Sequence, residues 1–241
     1  MTAATFRALH HDRAPGDPLV LPGPWDAGSA RVFADAGFPA LATPSAGVAA
    51  SLGYEDGTTP PEEMFAAVAR IVRAVSVPVS ADIEDGYGLA PEELVARLLD
   101  TGAVACNLED SSGGALVDPR RHADRLAAVR AVAGDALFIN ARVDTFIRGV
   151  SDPAPAVARA RLYVAAGADC VYPIAAPAEA LPALRAGIDG PLNALFLPAG
   201  PSLADLGRLG ATRVTFGPGP HRRAMAAVKD IARDITGSLP R

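Results

Sequence analysis

The stretch that decides the fold runs from Val77 to Asp110 and reads VPVSADIEDGYGLAPEELVARLLDTGAVACNLED. It opens with a strand-like apolar run, Val77 to Ala81, and continues into a helical pattern from Pro91 to Asp100. Gly102 stops the helix, and a second strand-like run follows from Val104 to Leu108. Two strands separated by one helix form a parallel strand–helix–strand unit, because parallel neighbours need a long crossover connection.

The same alternation of strand and helix continues along the whole chain. The predicted strands are Leu19–Leu21, Ala40–Thr43, Val77–Ala81, Val104–Leu108, Leu137–Arg142, Cys170–Tyr172, Leu192–Phe196 and Arg213–Phe216. The predicted helices are Ser29–Ala36, Pro61–Ala74 (with Thr59 as N-cap), Pro91–Asp100, Pro119–Val132, Pro153–Ala166, Pro177–Ala186, Leu203–Leu209 and His221–Ile235. Eight units in 241 residues predict an α/β protein with one (β/α)8 TIM-barrel domain over residues 1–241. A doubly wound open sheet is the main alternative, and the absence of a glycine-rich fingerprint after the first strand weakens it.

Composition narrows the class of function. The formal net charge of −5 argues against a nucleic-acid partner. We find no apolar run of membrane-spanning length and no apolar signal-peptide core near the N-terminus, so we expect a cytoplasmic protein without a membrane partner. Cys106 and Cys170, the two cysteines, lie in apolar runs and are expected to be buried, reduced thiols.

Acidic side chains gather where the third and fourth strands end. Residues two apart in a strand share a face, so Asp82 and Glu84 lie on one face of their strand, and Asn107 and Glu109 lie on one face of the next. Carboxylates that converge at strand ends repel one another unless a cation lies between them. We therefore expect Mg²⁺, or Mn²⁺ in its place, at this edge of the sheet.

Other candidate residues lie at the same end of the predicted barrel. Asn140 and Arg142 share a face of the fifth strand, and the fork of Arg142 could grip a carboxylate or phosphonate. Asp56 lies in the loop after the second strand, and Asn193 on the seventh strand. The connections 44–59 and 111–118 are predicted to be long and helix-free at the catalytic face.

These residues fall in six short motifs whose order along the chain resembles the isocitrate lyase/phosphoenolpyruvate mutase superfamily. The motifs are Pro24–Arg31, Ala42–Ala49, Gly53–Gly57, Ala81–Gly88, Asn107–Ser111 and Asn140–Asp144. The resemblance covers essentially the whole chain. It implies a Mg²⁺-dependent barrel enzyme that makes or breaks a C–C or P–C bond next to the carboxylate of a small 2-oxo or 2-hydroxy acid, through an enolate.

The resemblance also implies roles for individual residues. Asp82 would ligate the metal directly, while Asp56, Glu84 and Glu109 would hold its waters or complete its shell. The implied substrate-binding residues are Trp25, Asp26, Ser45, Ala46, Gly47, Arg142 and Asn193. Among all of these, Arg142, Glu109 and Ser45 are the catalytic candidates. The superfamily further suggests a homo-oligomer, a dimer or tetramer, with the last helix exchanged between subunits.

Three positions depart from the superfamily pattern. The loop from Ser111 to Asp118 lacks the lysine and cysteine of the superfamily's lyases, and it also lacks the basic residues of phosphonopyruvate-processing members. The carboxylate-binding loop has Ser45 in a register that is ambiguous by one residue. Glu84 replaces an aspartate, which keeps the charge and lengthens the reach.

Alternative interpretations of the same residues stay open. Asp85 and Asp110 could cap turns, Asp26 could be a helix N-cap, and Glu109 could form an ordinary ion pair with Arg142. The function could be C–C cleavage, hydrolysis of an oxaloacetate-like acid or P–C bond chemistry. A catalytically reduced barrel that only binds a keto acid is the alternative from another class.

Overall fold

The computed structural model describes residues 1–11, 13–14 and 16–237. Its strands are β1 Leu19–Leu21, β2 Leu41–Ala42, β3 Val79–Asp82, β4 Ala105–Glu109, β5 Ser111–Ser112, β6 Ala115–Leu116, β7 Phe138–Val143, β8 Cys170–Pro173, β9 Asn193–Leu195 and β10 Arg213–Thr215. Its α-helices are α1 Ala3–Ala8, α2 Ala27–Asp35, α3 Ser45–Leu52, α4 Pro61–Arg73, α5 Pro91–Thr101, α6 Pro119–Ala133, α7 Pro153–Ala165, α8 Leu181–Gly187, α9 Leu203–Arg208 and α10 Gly219–Gly237.

Eight parallel strands form the barrel wall in two pieces. Five strands pair in the order β2-β3-β4-β7-β8, and three pair in the order β1-β10-β9. The bridge between Val171 and Leu192 joins the pieces on one side, and the N–H of Ala42 donates to the carbonyl of Pro22 at 3.1 Å on the other. The ring is thereby closed, and the barrel prediction is confirmed.

The outer helices pack on the wall through apolar stripes. In α5, Leu94, Val95 and Leu98 are buried, while Glu92 and Glu93 lie in the first turn, where acidic side chains favour the helix dipole. The floor of the barrel is covered by α1, because Phe6 packs edge-on against Phe138 with ring centroids 5.0 Å apart. All eight strands therefore present their carboxyl ends at the opposite, open mouth.

Two local predictions were wrong. The connection 44–59 is not helix-free, because it contains α3, whereas the connection 111–118 is helix-free as predicted and forms the two-stranded hairpin β5–β6. Thr59 is not the N-cap of α4, because the cap position is Pro60, which makes no side-chain cap hydrogen bond. Among the described residues, no helix is long and apolar enough to cross a bilayer.

Candidate active site at the barrel mouth

The end of three adjacent strands brings the main predicted side chains together. Asp82 ends β3 opposite Asn107, and Glu109 ends β4 opposite Arg142 of β7. Asp82 and Arg142 are each 8% exposed, and Asn107 is 5% exposed. A parallel register thus places an acid, a second acid and a guanidinium side by side at the carboxyl edge of the sheet.

Two adjoining cavities open at this mouth. The larger, of about 620 Å³, is the catalytic cleft, and the smaller, of about 130 Å³, is the inner cavity. The catalytic cleft is lined by Asp56, Gly57, Pro61, Glu84, Asp85, Tyr87, Glu109, Ser111, Ser112, Gly113, Gly114, Arg142, Ile147 and Arg148. The inner cavity is lined by Ala42, Thr43, Pro44, Ser45, Ala46, Asp56, Asp82, Asn107, Arg142, Tyr172, Ile174, Thr215, Gly217, Pro218 and Arg222. At about 30 Å³ per liquid water, the inner cavity has room for about four water molecules, which suits a small acid.

Arg142 is held by two carboxylates of its own chain. Its Nε and Nη2 donate to Asp144 at 2.6 and 3.0 Å, and its Nη1 forms an ion pair with Glu109. Burial alone would lower the pKa of Arg142, but the bonds to Asp144 and the charges of Glu109 and Asp82 raise it. The contact between Glu109 and Arg142 that the ion-pair interpretation requires is therefore present.

The acids of the mouth destabilise one another's charged forms. Burial raises the pKa of Glu109 to about 9, with Arg142 opposing the rise and Asp82 adding to it. Burial and the charges of Asp82 and Asp56 raise the pKa of Glu84 to about 7. Burial likewise raises the pKa of Asp82, against the opposing charge of Arg142. Burial and mutual repulsion therefore raise the pKa of all three acids.

Glu84 also shows backbone strain. Its φ of 54° lies in the left-handed region, which is uncommon for a residue with a side chain. Its Oε1 is buried and has no hydrogen-bond partner among the described residues. A strained backbone and an unpaired buried carboxylate oxygen at a mouth full of acids are features that cluster at functional sites.

The donor set fits a hard divalent cation that keeps several waters. No group of three His, Cys, Asp or Glu side chains in the described ranges is close enough to chelate an ion directly. Mg²⁺ characteristically takes one or two carboxylates and retains its other ligands as water. Buried Asp82 suits the direct position, and the unpaired Oε1 of Glu84 suits a hydrogen bond from a metal-bound water.

The first turn of α3 forms the opposite wall of the inner cavity. Pro44 at the cap position offers no side-chain cap, and the first helical bond is made by the N–H of Val48 to the carbonyl of Pro44. The N–H groups of Ser45, Ala46 and Gly47 therefore precede the helical ladder, as at other anion-binding helix N-termini. The hydroxyl of Ser45 donates to Asp56 at 3.3 Å, which links this helix to the acidic cluster.

Four of the predicted substrate-binding residues do not line either cavity. Asp26 is exposed and caps α2 through a capping box with Ser29, so its N-cap interpretation is confirmed. Trp25 packs against His221 with ring centroids 5.3 Å apart, and Gly47 lies beneath this contact. Asn193 is buried and donates to Thr215 at 3.3 Å, so it supports a residue of the inner cavity from below.

Besides Glu109, a buried network that the sequence did not predict holds Arg142 in place. Asp144 is fully buried, and its N–H donates to Asp110 at 2.8 Å. Asp110 also accepts bonds from the hydroxyl of Tyr163 at 2.7 Å and from Arg159 at 2.9 Å. The pattern Arg-x-Asp on one strand face was the available signal, because residues two apart share that face.

The hairpin covers the site without supplying a chemically reactive side chain. Its turn is Gly113-Gly114, with φ of 57° and 83°, and its Ser111 hydroxyl donates to Asp144. The lining residues of both cavities include no cysteine and no lysine. Cys106 and Cys170 are buried in the barrel, as predicted, and burial raises the pKa of each thiol to about 12.

Comparison with known proteins identifies the family. The family model described as phosphoenolpyruvate phosphomutase matches residues 6–236. The chain belongs to this phosphoenolpyruvate phosphomutase family. Within the family it is 37% identical to an uncharacterised protein of Mycobacterium tuberculosis, over 98% of this chain and 92% of that protein.

Further relatives in this superfamily are lyases and mutases. A 2-methylisocitrate lyase of Aeropyrum pernix is 35% identical over 65% of this chain and 54% of that enzyme, so the chain spans only about half of it. The crystal structure of a candidate phosphonomutase of Burkholderia cenocepacia J2315 has a TM-score of 0.90 and 41% identity, covering 96% of this chain and 99% of that one.

The same fold occurs in a structure that contains a metal. A phosphonopyruvate hydrolase solved with oxalate and Mg²⁺ has a TM-score of 0.85 and 24% identity, covering 100% of this chain and 92% of that one. At this identity the likeness concerns the fold. The superfamily prediction made from the motifs is confirmed, and the named enzymes among the sequence relatives are lyases and mutases.

Proposed function

We propose that this protein is a Mg²⁺-dependent enzyme that makes or breaks a bond next to the carboxylate of a small 2-oxo or 2-hydroxy acid, through an enolate. The observation that carries the proposal is the inner cavity. There the open N-terminus of α3, the buried carboxylate of Asp82 and the guanidinium of Arg142 line one space of about 130 Å³. The N–H groups of the helix N-terminus and the guanidinium of Arg142 can bind a carboxylate, and the carboxylate of Asp82 would hold a divalent cation beside it.

Each residue has a defined part in this proposal. The N–H groups of Ser45 and Ala46, together with the Ser45 hydroxyl, bind the substrate carboxylate. Arg142 stabilises negative charge that develops on the substrate, because Asp144 and Glu109 hold its fork in place. Asp82 would hold Mg²⁺, with Asp56, Glu84 and Glu109 orienting its waters. The metal, when bound, would polarise the 2-oxo group of the substrate.

The cleft offers no counterpart to the thiol acid of the superfamily's lyases, because cysteine and lysine are absent from its lining. The proposal therefore covers C–C cleavage by a route without a thiol acid, hydrolysis of an oxaloacetate-like acid and P–C bond chemistry as outcomes of the same site.

One observation favours a second candidate, a barrel that binds a keto acid without turning it over. The guanidinium of Arg142 already binds two carboxylates of its own chain, those of Asp144 and Glu109. The hairpin, in addition, contributes only serines and glycines to the lining of the cleft. A substrate would have to compete with Glu109 for the guanidinium.

The deciding experiment measures thermal unfolding with and without Mg²⁺ against oxaloacetate, 2-oxoglutarate, isocitrate, methylisocitrate, phosphonopyruvate and phosphoenolpyruvate. A ligand at 100 times its Kd stabilises the native state by about 2.7 kcal/mol. At about 2–4 °C per kcal/mol for a chain of this size, the midpoint should rise by about 5–11 °C. Asp82→Asn should abolish the Mg²⁺-dependent part, whereas Asp35→Asn, at an exposed position on α2, should retain it.

Turnover separates the two candidates. In D₂O with Mg²⁺, an enolate-forming site exchanges the methyl protons of pyruvate, which proton NMR follows directly. If the pyruvate methyl protons exchange with the unaltered protein but not with Arg142→Gln, the result would support the enzyme proposal. Ligand stabilisation with neither exchange nor cleavage of any acid would support the binding barrel, and no response to any acid or to Mg²⁺ would exclude both.

The proposal includes a homo-oligomer, a dimer or tetramer, built on α10. This helix has no buried residue in the single chain. Its exposed apolar side chains Met225, Val228, Ile231 and Ile235 recur at helical spacing along one face. Val228→Glu should shift the sedimentation coefficient to that of a monomer, while Lys229→Glu, one position along, should leave it unchanged. A monomeric unaltered protein would contradict the proposal.

A further inference from the structure

A separate cavity lies between α6 and the hairpin, next to the catalytic cleft. This α6 pocket has a volume of about 340 Å³, which is room for about eleven water molecules at about 30 Å³ each. It is lined by Asp85, Gly88, Glu109, Ser111, Ser112, Val117, Arg121, His122 and Arg125. Three of these, Arg121, His122 and Arg125, are hydrogen-bond donors that project from one helix.

His122 is a buried polar group without a partner. The residue is 2% exposed, and its Nε2 has no hydrogen-bond partner among the described residues. Burial, reinforced by the charges of Arg125 and Arg159, lowers its pKa to about 4, so the ring is neutral at pH 7. The imidazole ring packs in a T-shaped contact with Tyr163, with ring centroids 4.8 Å apart. A buried imidazole nitrogen of this kind requires a ligand or a water in the pocket.

Arg125 is a half-buried cation that forms no ion pair with a carboxylate of the described residues, although the charge of Asp85 acts on it. Its Nε is buried and unpaired, and its Nη2 reaches only the carbonyl of Gly86, at 3.5 Å. Burial lowers its pKa, with the charge of Asp85 opposing. Neither Arg125 nor Arg121, which is exposed at the rim, forms an ion pair within the described ranges. A partly desolvated guanidinium is stabilised most by an anion.

The two acids in the wall are already engaged. Asp85 Oδ1 accepts from the N–H of Tyr87 at 2.9 Å, and its Oδ2 accepts from the hydroxyl of Ser112 at 2.7 Å. Glu109 pairs with Arg142. Among the described residues, the unpaired groups of the pocket are therefore the guanidinium of Arg121, Nε of Arg125 and one ring nitrogen of His122, and an acceptor-rich anion complements the two cations.

We propose that the α6 pocket binds an oxyanion, the carboxylate, phosphate, phosphonate or sulfate group of a ligand, through Arg121, His122 and Arg125. Two sources offer this chemistry. The pocket and the catalytic cleft share Asp85, Glu109, Ser111 and Ser112, so the group could be the far end of a substrate with two acid groups. Alternatively, a free anion binds there beside the hairpin.

The test uses sulfate, whose charge is constant near neutral pH. The chain has four histidines, so the imidazole C–H resonances can be resolved by NMR, and His122→Phe assigns the one from the pocket. Sulfate, titrated against chloride at matched ionic strength, should shift the His122 resonance saturably, with a Kd of about 1–10 mM. Arg121→Gln should weaken sulfate binding at least tenfold, while Arg120→Gln, a neighbouring exposed arginine outside the pocket, should not.

The outcomes separate the two sources and can overturn the proposal. If oxaloacetate displaces sulfate, and Arg121→Gln weakens oxaloacetate but not pyruvate, the group belongs to the substrate. If sulfate and oxaloacetate bind together, the ligand is a free anion. If the His122 resonance follows chloride and sulfate equally, or if Arg121→Gln and Arg120→Gln bind sulfate alike, the pocket is not an oxyanion site. Arg121 is exposed, so its variant should fold even if His122→Phe does not.

Discussion

Asp144→Asn tests whether Arg142 is held by its own chain as the structure indicates. Asp144 is fully buried and accepts two hydrogen bonds from Arg142, at 2.6 and 3.0 Å. It also accepts a hydrogen bond from the hydroxyl of Ser111. The substitution keeps the shape of the side chain but removes its charge and turns an amide donor toward the guanidinium. Removing one partner of a buried pair typically costs about 3–5 kcal/mol.

The structure places the expected loss at the lower end of that range. Glu109 still pairs with Arg142 in the variant, so the guanidinium keeps one carboxylate. We therefore expect a loss of about 3 kcal/mol, which corresponds to a fall in the thermal midpoint of about 6–12 °C for a chain of this size. Urea unfolding and calorimetry measure the loss. Substrate-carboxylate binding should weaken as well, because the fork of Arg142 loses its orientation.

A matched control and a double variant make the test specific. Asp230→Asn breaks an Asp–Arg pair on the exposed surface of α10, where both side chains are more than half exposed, and should cause no measurable loss. In an Arg142→Gln background, Asp144→Asn should cost much less than it does alone, because its partner is gone. A loss below about 1 kcal/mol, or equal losses in both backgrounds, would refute the account of Arg142 as a residue anchored by Asp144.

Two further predictions concern stability. The pKa of His122 is lowered to about 4 from its ordinary 6.5, so between these pH values the unfolded chain takes up a proton that the native state does not. The free energy of unfolding, relative to that of His122→Phe, should therefore fall by about 1.4 kcal/mol for each pH unit between 6.5 and 4. A difference in urea unfolding that does not change with pH would contradict this. Gly88→Ala, at φ of 69° in open space, should cost about 1–2 kcal/mol. At Gly86, with φ of 84°, an added Cβ would lie 2.5 Å from Nη2 of Arg125 and 3.2 Å from Leu94 and Leu108, so Gly86→Ala must displace the arginine fork and should cost about 1–3 kcal/mol more. Equal midpoints in thermal unfolding would show that the packing at Gly86 relaxes freely.

The barrel could be predicted from sequence because each strand–helix unit carries its own signals. The apolar run Val77–Ala81, the helix start at Pro91 and the stop at Gly102 all fall within two residues of the observed boundaries. The alternation of side chains along a strand also predicted which residues reach the mouth, so Asp82, Glu109 and Arg142 were found together.

What was missed depends on weak local signals or on distant contacts. The helix α3 is built of small residues, with Gly47 in its interior and no capping side chain, so its propensity is low. Strands of two residues carry no periodicity, although Gly113-Gly114 was a usable hairpin signal. The role of Asp110 rests on Tyr163 and Arg159, about fifty residues further along the chain, and no local pattern shows such a contact.

The two pieces of the barrel wall differ in what they carry. Asp82, Glu109 and Arg142 all lie on the five-stranded piece, whereas Thr215 and Gly217 of the inner cavity belong to β10 and the segment after it in the three-stranded piece. Among the described residues, the backbone hydrogen bonds that join the pieces include Ala42 N–H to the carbonyl of Pro22 and Val171 N–H to the carbonyl of Pro191. Local opening is cheapest where the fewest such bonds must break. An opening along these two joints would change the width of the inner cavity but not the spacing of Asp82, Glu109 and Arg142, because all three lie on the same piece of the wall.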